Sequence, residues 1–198
     1  MKTTEQHHHY ITTVSGINIG DPTCGQVRPE HIRMLDIMCS LAKQCRYNGH
    51  VDRGFYSVAE HSVLVSRIAE ELGDEEAMLP ALLHDAHEAY MGDIARPQKA
   101  MMGRGVVDFE SAMERAVRAA LGLPGPSDPV WGRVADYDSW ILHRELECLR
   151  IVIPDWWDPQ ISRLVPSNIR PLALPWQEAQ SVFRHRLHDL GWGLGGTL

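Results

Sequence analysis

The pair His84-Asp85 follows directly on the apolar run Ala81-Leu82-Leu83, within a segment whose pattern predicts one helix from Glu75 to Met91, kinked at Pro80. An adjacent imidazole and carboxylate are costly to bury without a partner, and a bound cation removes that cost. The fold must therefore bring further ligands to this point. His61 is the first, because it lies on the inward stripe of the preceding predicted helix, three residues after Val58 and four before Val65. Two imidazoles and a carboxylate from neighbouring helices suit zinc or a similar divalent ion, which takes nitrogen and oxygen ligands and can keep an open position.

A fourth ligand is expected from a long helix opened by Asp128-Pro129 and running to about Arg150. Trp131, Val134, Ile141, Leu142 and Leu149 share one stripe of it. Asp138 falls inside that stripe and Asp136 nearly opposite, so Asp138 is the expected metal ligand and Asp136 a solvated residue. Glu88 stands one turn beyond His84, placed to act as a general acid or base, and Asp93 follows just past Gly92. Both are catalytic candidates, and they mark a place for a second ion. His87 points off this face and is read as surface or pocket lining. Arg46, Tyr47 and His50, in the irregular stretch Arg46-Tyr47-Asn48-Gly49-His50, offer a phosphate clamp, an aromatic platform and a polar contact.

The remaining pattern is helical. Residues 10 to 30 hold short β-type runs broken by glycine and proline, which fit a small hairpin. Helices are expected at His31 to Lys43, from a capping box at Ser57 to Glu60 as far as Leu72, across Phe109 to Ala120, and at Gln177 to Leu190. Asp74 is expected to cap the helix that carries His84. Ile153 to Trp176 reads as an ordered covering loop, and the glycine-rich end from Gly191 as a mobile tail. This is an all-α helical bundle with a short N-terminal β-hairpin, in a single domain over residues 1–198, since 198 residues with 44% hydrophobic content suffice for one core.

Composition narrows the partners. A formal charge of -7 disfavours binding to a nucleic-acid polymer, which needs a basic surface. No signal peptide or apolar run of ~18 residues is visible, so no membrane association and a cytoplasmic location are expected. Cys24, Cys39, Cys45 and Cys148 show no paired spacing and are expected to be reduced thiols.

Three segments in order, Arg46 to Ser62, Ala81 to Ile94 with Lys99 soon after, and Val134 to Asp138, resemble the HD-domain nucleotide phosphohydrolases. The resemblance covers about residues 10 to 190. It is closest to phage and prophage members similar to bacterial 5'-deoxyribonucleotidases and phage dATP triphosphohydrolases. It implies an HD-domain helical bundle in which His61, His84, Asp85 and Asp138 bind a divalent metal, Zn²⁺, Co²⁺ or Mn²⁺. It implies that Glu88 and Asp93 assist the attacking water or a second ion, and that Arg46 and Lys99 contact phosphate. The implied substrate is a deoxynucleotide cleaved at its 5' phosphoester, as a monophosphate or a triphosphate, in the nucleotide-pool metabolism of a phage within its host's cytoplasm. The implied assembly is a homo-oligomer. The chain has Tyr137 where the family has alanine, which keeps Asp136 as a second candidate ligand, and its Ala95-Arg96-Pro97-Gln98-Lys99 departs from the family's proline-rich stretch. Two rival readings remain: an HD module that senses a nucleotide without hydrolysis, and a hydrolase of a cyclic nucleotide or an alarmone.

Overall fold

The computed structural model describes residues 10–52, 54–149 and 153–192. A two-stranded antiparallel hairpin, β1 (Ile11–Thr12) and β2 (Asn18–Ile19), opens the chain. Eight α-helices follow among the described residues: α1 (Met34–Leu41), α2 (Val58–Glu71), α3 (Glu75–Leu82), α4 (Arg96–Met102), α5 (Arg104–Ala120), α6 (Val130–Leu149), α7 (Pro159–Ser162) and α8 (Trp176–Asp189). The fold is all-α, as the hydrophobic periodicity predicts.

Helix α2 is the axis of this arrangement. Its residues from Val58 to Ser66 are buried without interruption, so it is covered on every side rather than along one stripe. Val58, Ala59 and Val63 join a core cluster with α1, α5 and α8, including Ile37, Leu41, Met113 and Phe183. Leu64, Val65, Ile68 and Ala69 join a second cluster with Ala77 and Ala81 of α3 and Val130, Val134 and Ile141 of α6. Fully burying a side chain such as Ile68 or Val65 stabilises the fold by roughly 1.5–3 kcal/mol before entropy is charged against it. This central placement puts His61 at 0% exposure between two helical layers.

Several local expectations are corrected. The segment from Glu75 to Met91 is not one helix: α3 ends at Leu82, and a 3₁₀ stretch from Ala86 to Tyr90 follows. Pro80 already lacks an N–H, and the His84 side chain takes over the carbonyl of Ala81 at 2.8 Å, so the chain leaves the helix at this point. The capping box at α2 is half formed. Ser57 accepts from the N–H of Glu60 at 3.1 Å, but the Glu60 carboxylate accepts instead from the backbone of Leu172 and Leu174, at 2.6 and 2.8 Å. Asp74 makes no side-chain cap, because its carboxylate accepts from Arg133 and Tyr137 of α6. Ile153 to Trp176 contains the short helix α7, and Trp192 packs against the core rather than opening a mobile tail, whose remaining residues lie outside those described.

Candidate metal centre

The break between α3 and the 3₁₀ stretch gives the site its geometry. Consecutive residues on a regular helix project about 100° apart and cannot reach one point. With Leu83 and Asp85 in non-helical conformations, His84 and Asp85 converge, Nε2 to Oδ2 at 3.2 Å. His61 approaches from α2, its Nε2 lying 3.3 Å from His84 Nε2 and 3.7 Å from Asp85 Oδ2. One ligand atom from each of His61, His84 and Asp85 lies within 4.8 Å of the others, and among the described residues this is the group of metal-ligating side chains that meets at one point. Asp138 of α6 joins it through His61, its Oδ1 standing 3.2 Å from Nε2. Asp136 is exposed on the opposite side of α6, as the helical stripe predicts.

The hydrogen bonds behind the two imidazoles test whether these residues fit a metal. His61 Nδ1 meets Glu145 Oε1 at 2.6 Å, and His84 Nδ1 meets the carbonyl oxygen of Ala81 at 2.8 Å. Both partners are acceptors, so each Nδ1 carries the proton and donates. A neutral ring then has its lone pair on Nε2, and the two Nε2 atoms face each other with Asp85 beside both and Asp138 beside His61. His61, His84 and Asp85 offer one ligand atom each at one point, and Asp138 stands next to His61 and also accepts from Arg96 at 3.2 Å. A proton on His61 Nε2 and a divalent cation compete for the same place.

The surrounding field has the same sign. Burial and the Arg46 charge push the His61 imidazole down, but Glu145 and Asp138 outweigh them and hold its pKa up at about 9. The field that favours a proton on His61 favours a metal cation as well. Burial raises the Asp138 carboxyl, yet the bond from His61 and the nearby imidazole charges bring it to about 2. Asp85 is likewise held well below the usual carboxylate range against the cost of burial, by His84, His61 and Arg46.

The other predicted residues are placed unequally. Arg46 reaches both Asp85, at 3.6 Å, and Glu145, at 3.5 Å, so it belongs to the centre. Tyr47 follows in a left-handed conformation (φ 57°), with its hydroxyl donating to Glu145 at 2.6 Å. His50 is exposed at the end of this turn, its N–H donating to the carbonyl of Tyr47. Glu88 is buried beside Asp85 and Asp93, and among the described residues its Oε2 has no hydrogen-bond partner. Burial first, and then those two carboxylates, push its pKa well above the ordinary value. Asp93 is raised as well, chiefly by burial. Lys99 pairs with Glu110 of α5, which also lies 3.4 Å from His87 Nε2. His87 is therefore buried, not on the surface, because α5 packs over it.

Sequence reasoning missed Glu145 and Tyr56. Glu145 stands seven residues after Asp138, two turns along the same inward stripe, so the argument that selected Asp138 applies to it equally. It is fully buried and accepts from Tyr47, Tyr56 and His61. Tyr56 lies outside any helix and left no periodic signal.

No family model matches the chain. It is 32% identical over 189 residues to the uncharacterized protein RCAP_rcc00048 of Rhodobacter capsulatus, covering 91% of this chain and 93% of that one. It is also 32% identical over 169 residues to the uncharacterized protein YfdR of Escherichia coli, covering 83% and 88% respectively. Among the described residues no helix is long and apolar enough to cross a membrane.

Proposed function

The chain belongs to the family that these two bacterial proteins represent, and we propose that it is a metal-dependent phosphohydrolase of the HD kind, cleaving the 5' phosphoester of deoxynucleotides. The observation that carries this reading is the pair of imidazoles whose Nε2 atoms face each other at 3.3 Å beside Asp85 and Asp138, with both Nδ1 protons already donated elsewhere. His61, His84, Asp85 and Asp138 would hold the ion. Zn²⁺, Co²⁺ or Mn²⁺ there supplies Lewis acidity toward a phosphate oxygen and toward water.

The protein's own groups then divide the work. Arg46, between Asp85 and Glu145, brings positive charge to a site rich in carboxylates and offers it to the substrate phosphate. Glu88, buried and with its pKa raised, keeps a proton for the departing 5' oxygen, whereas an ordinary surface glutamate would have lost it. Asp93 lies close enough to contribute to that raised pKa and stands beside the leaving group or a second ion. Tyr47 and His50 form the turn expected to meet the base and sugar. Lys99 must exchange Glu110 for phosphate to take part.

Attack of water at the α-phosphorus breaks the bond to the 5' oxygen, which leaves with a proton as deoxynucleoside. A monophosphate yields inorganic phosphate and a triphosphate yields triphosphate. Chromatography of products from dAMP, dATP and the other deoxynucleotides in Zn²⁺, Co²⁺ or Mn²⁺, beside an Asp85→Ala control, tests this. Deoxynucleoside that appears with the wild type and disappears in the control supports the reading, and the better substrate separates nucleotidase from triphosphohydrolase. A metal-loaded protein that cleaves none of them refutes it.

A further inference from the structure

Glu145 gathers more of the site than any ligand does. Its Oε1 accepts from His61 Nδ1 and from the Tyr56 hydroxyl, both at 2.6 Å. Its Oε2 accepts from the Tyr47 hydroxyl at 2.6 Å and lies 3.5 Å from Arg46 Nη2. The carboxylate has no solvent exposure, so these groups are its surroundings. They come from three parts of the chain: the first turn of α2, the Arg46-Tyr47 turn and the stretch before α2. An isolated bridge between Cys45 and Ser57 ties the base of that loop, and the N–H of Asp52 at its far side donates to the Leu149 carbonyl of α6 at 2.8 Å.

We propose that Glu145 is a positioning residue that fixes the metal-binding tautomer of His61 and, with its second oxygen, holds the Arg46-Tyr47 turn against the same centre. This rests on reading His61 as a metal ligand. A carboxylate behind a ligating imidazole orients the ring, keeps its proton on Nδ1 and makes Nε2 a stronger donor toward a cation. His84 has only a backbone carbonyl in that role, so the two imidazoles are unequal ligands. The second oxygen explains Tyr47. An aromatic residue at φ 57° occupies a region that side chains other than glycine and asparagine rarely adopt. It keeps that conformation because its hydroxyl is anchored to a rigid, buried acceptor on α6. One side chain thus sets both the metal-facing nitrogen and the turn proposed to meet substrate.

The test uses the full chain stripped of metal by chelation and titrated with Co²⁺, whose visible absorption reports ligand geometry. Glu145→Gln keeps the size and one acceptor for His61 and removes the charge. It is expected to weaken Co²⁺ binding about 10- to 100-fold and to shift the visible bands, with the circular dichroism unchanged. Glu145→Asp, which restores the charge at a shorter reach, should recover part of that affinity. A merely space-filling role predicts the reverse order. Unchanged Co²⁺ affinity and bands in folded Glu145→Gln overturn the proposal. If that variant does not fold, nitrogen NMR of the Zn²⁺-loaded wild type decides. Zinc on Nε2 of His61 with a protonated Nδ1 supports the proposal, and zinc on Nδ1 overturns it. A wild type that takes up neither Co²⁺ nor Zn²⁺ removes the metal reading itself, which is a different result from a wild type and a Glu145→Gln protein that bind equally well.

Discussion

Near the start of α6, Arg133 donates to Asp74 at 2.7 Å and to Glu76 at 3.1 Å, while Tyr137 donates to Asp74 at 2.8 Å. From the next residue onward, Asp138 and Glu145 face His61, and through it Asp85 and His84. Both clusters join α6 to its neighbours with charged side chains, but their accounts differ. The first has a donor for each acceptor and sits toward solvent. In the second, two imidazole Nε2 atoms stand 3.3 Å apart, Glu88 Oε2 is buried with no hydrogen-bond partner among the described residues, and carboxylates outnumber arginines. A polar cluster that only fastens helices is satisfied within the protein, whereas one that remains unsatisfied in a well-packed core is arranged for something that arrives from outside.

Substitutions can break this contrast. Under the proposed function, His84→Ala should reduce hydrolysis by on the order of 10³ or more, measured as deoxynucleoside released per minute, because it removes a proposed ligand. Glu88→Gln should lower kcat by roughly 10²–10⁴ and yet raise the thermal midpoint of the metal-free protein. The sign follows from its raised pKa. The folded state binds that proton more tightly than the unfolded state, so stability is present at low pH and lost as pH rises through the folded value. The advantage of Glu88→Gln should therefore grow with pH, and a midpoint below wild type at every pH would contradict it. Adding Zn²⁺ or Co²⁺ at ~1,000-fold over Kd should stabilise the chain by about 4 kcal/mol. Asp74→Asn should show the same metal-dependent gain, since the two clusters share no partner. Smallest is Asp74→Asn itself, expected to cost about 1 kcal/mol in urea unfolding near neutral pH. The Asp74 carboxylate is held below its ordinary pKa; burial opposes this, while Arg133 and Tyr137 more than offset it. Its contribution is present above the unfolded pKa and lost as pH falls through the lowered folded value, so the difference from wild type should shrink in acid. A difference that persists there would make the Asp74 cluster a packing feature rather than an electrostatic one.

The helical class, α2, α5, α6 and α8, and the inward placement of His61 and Asp138 follow from the 3.6-residue period, which any reader of the chain can count. The choice of Asp138 over Asp136 is of this kind: 200° of helix separate them, and only one faces His61. Local caps were less legible. Glu60 and Asp74 have the right residue types at the right spacings, but each carboxylate accepts from a distant segment, Leu172 and Leu174 in one case and α6 in the other. A short-range bond competes with every donor the fold brings near, and those donors cannot be read from neighbouring residues.

The sequence by itself determined which residues could bind a cation and that His61 and Asp138 face inward from α2 and α6, because apolar periodicity and the cost of burying a charge are local properties. Tertiary structure decided how they meet. It brought His61 of α2 against the His84-Asp85 break, turned Tyr47 into the left-handed region, and placed Glu145 behind His61 from 84 residues away. Those outcomes depend on hydrogen bonds between segments remote in the chain, which exist only once α2, α3 and α6 have packed.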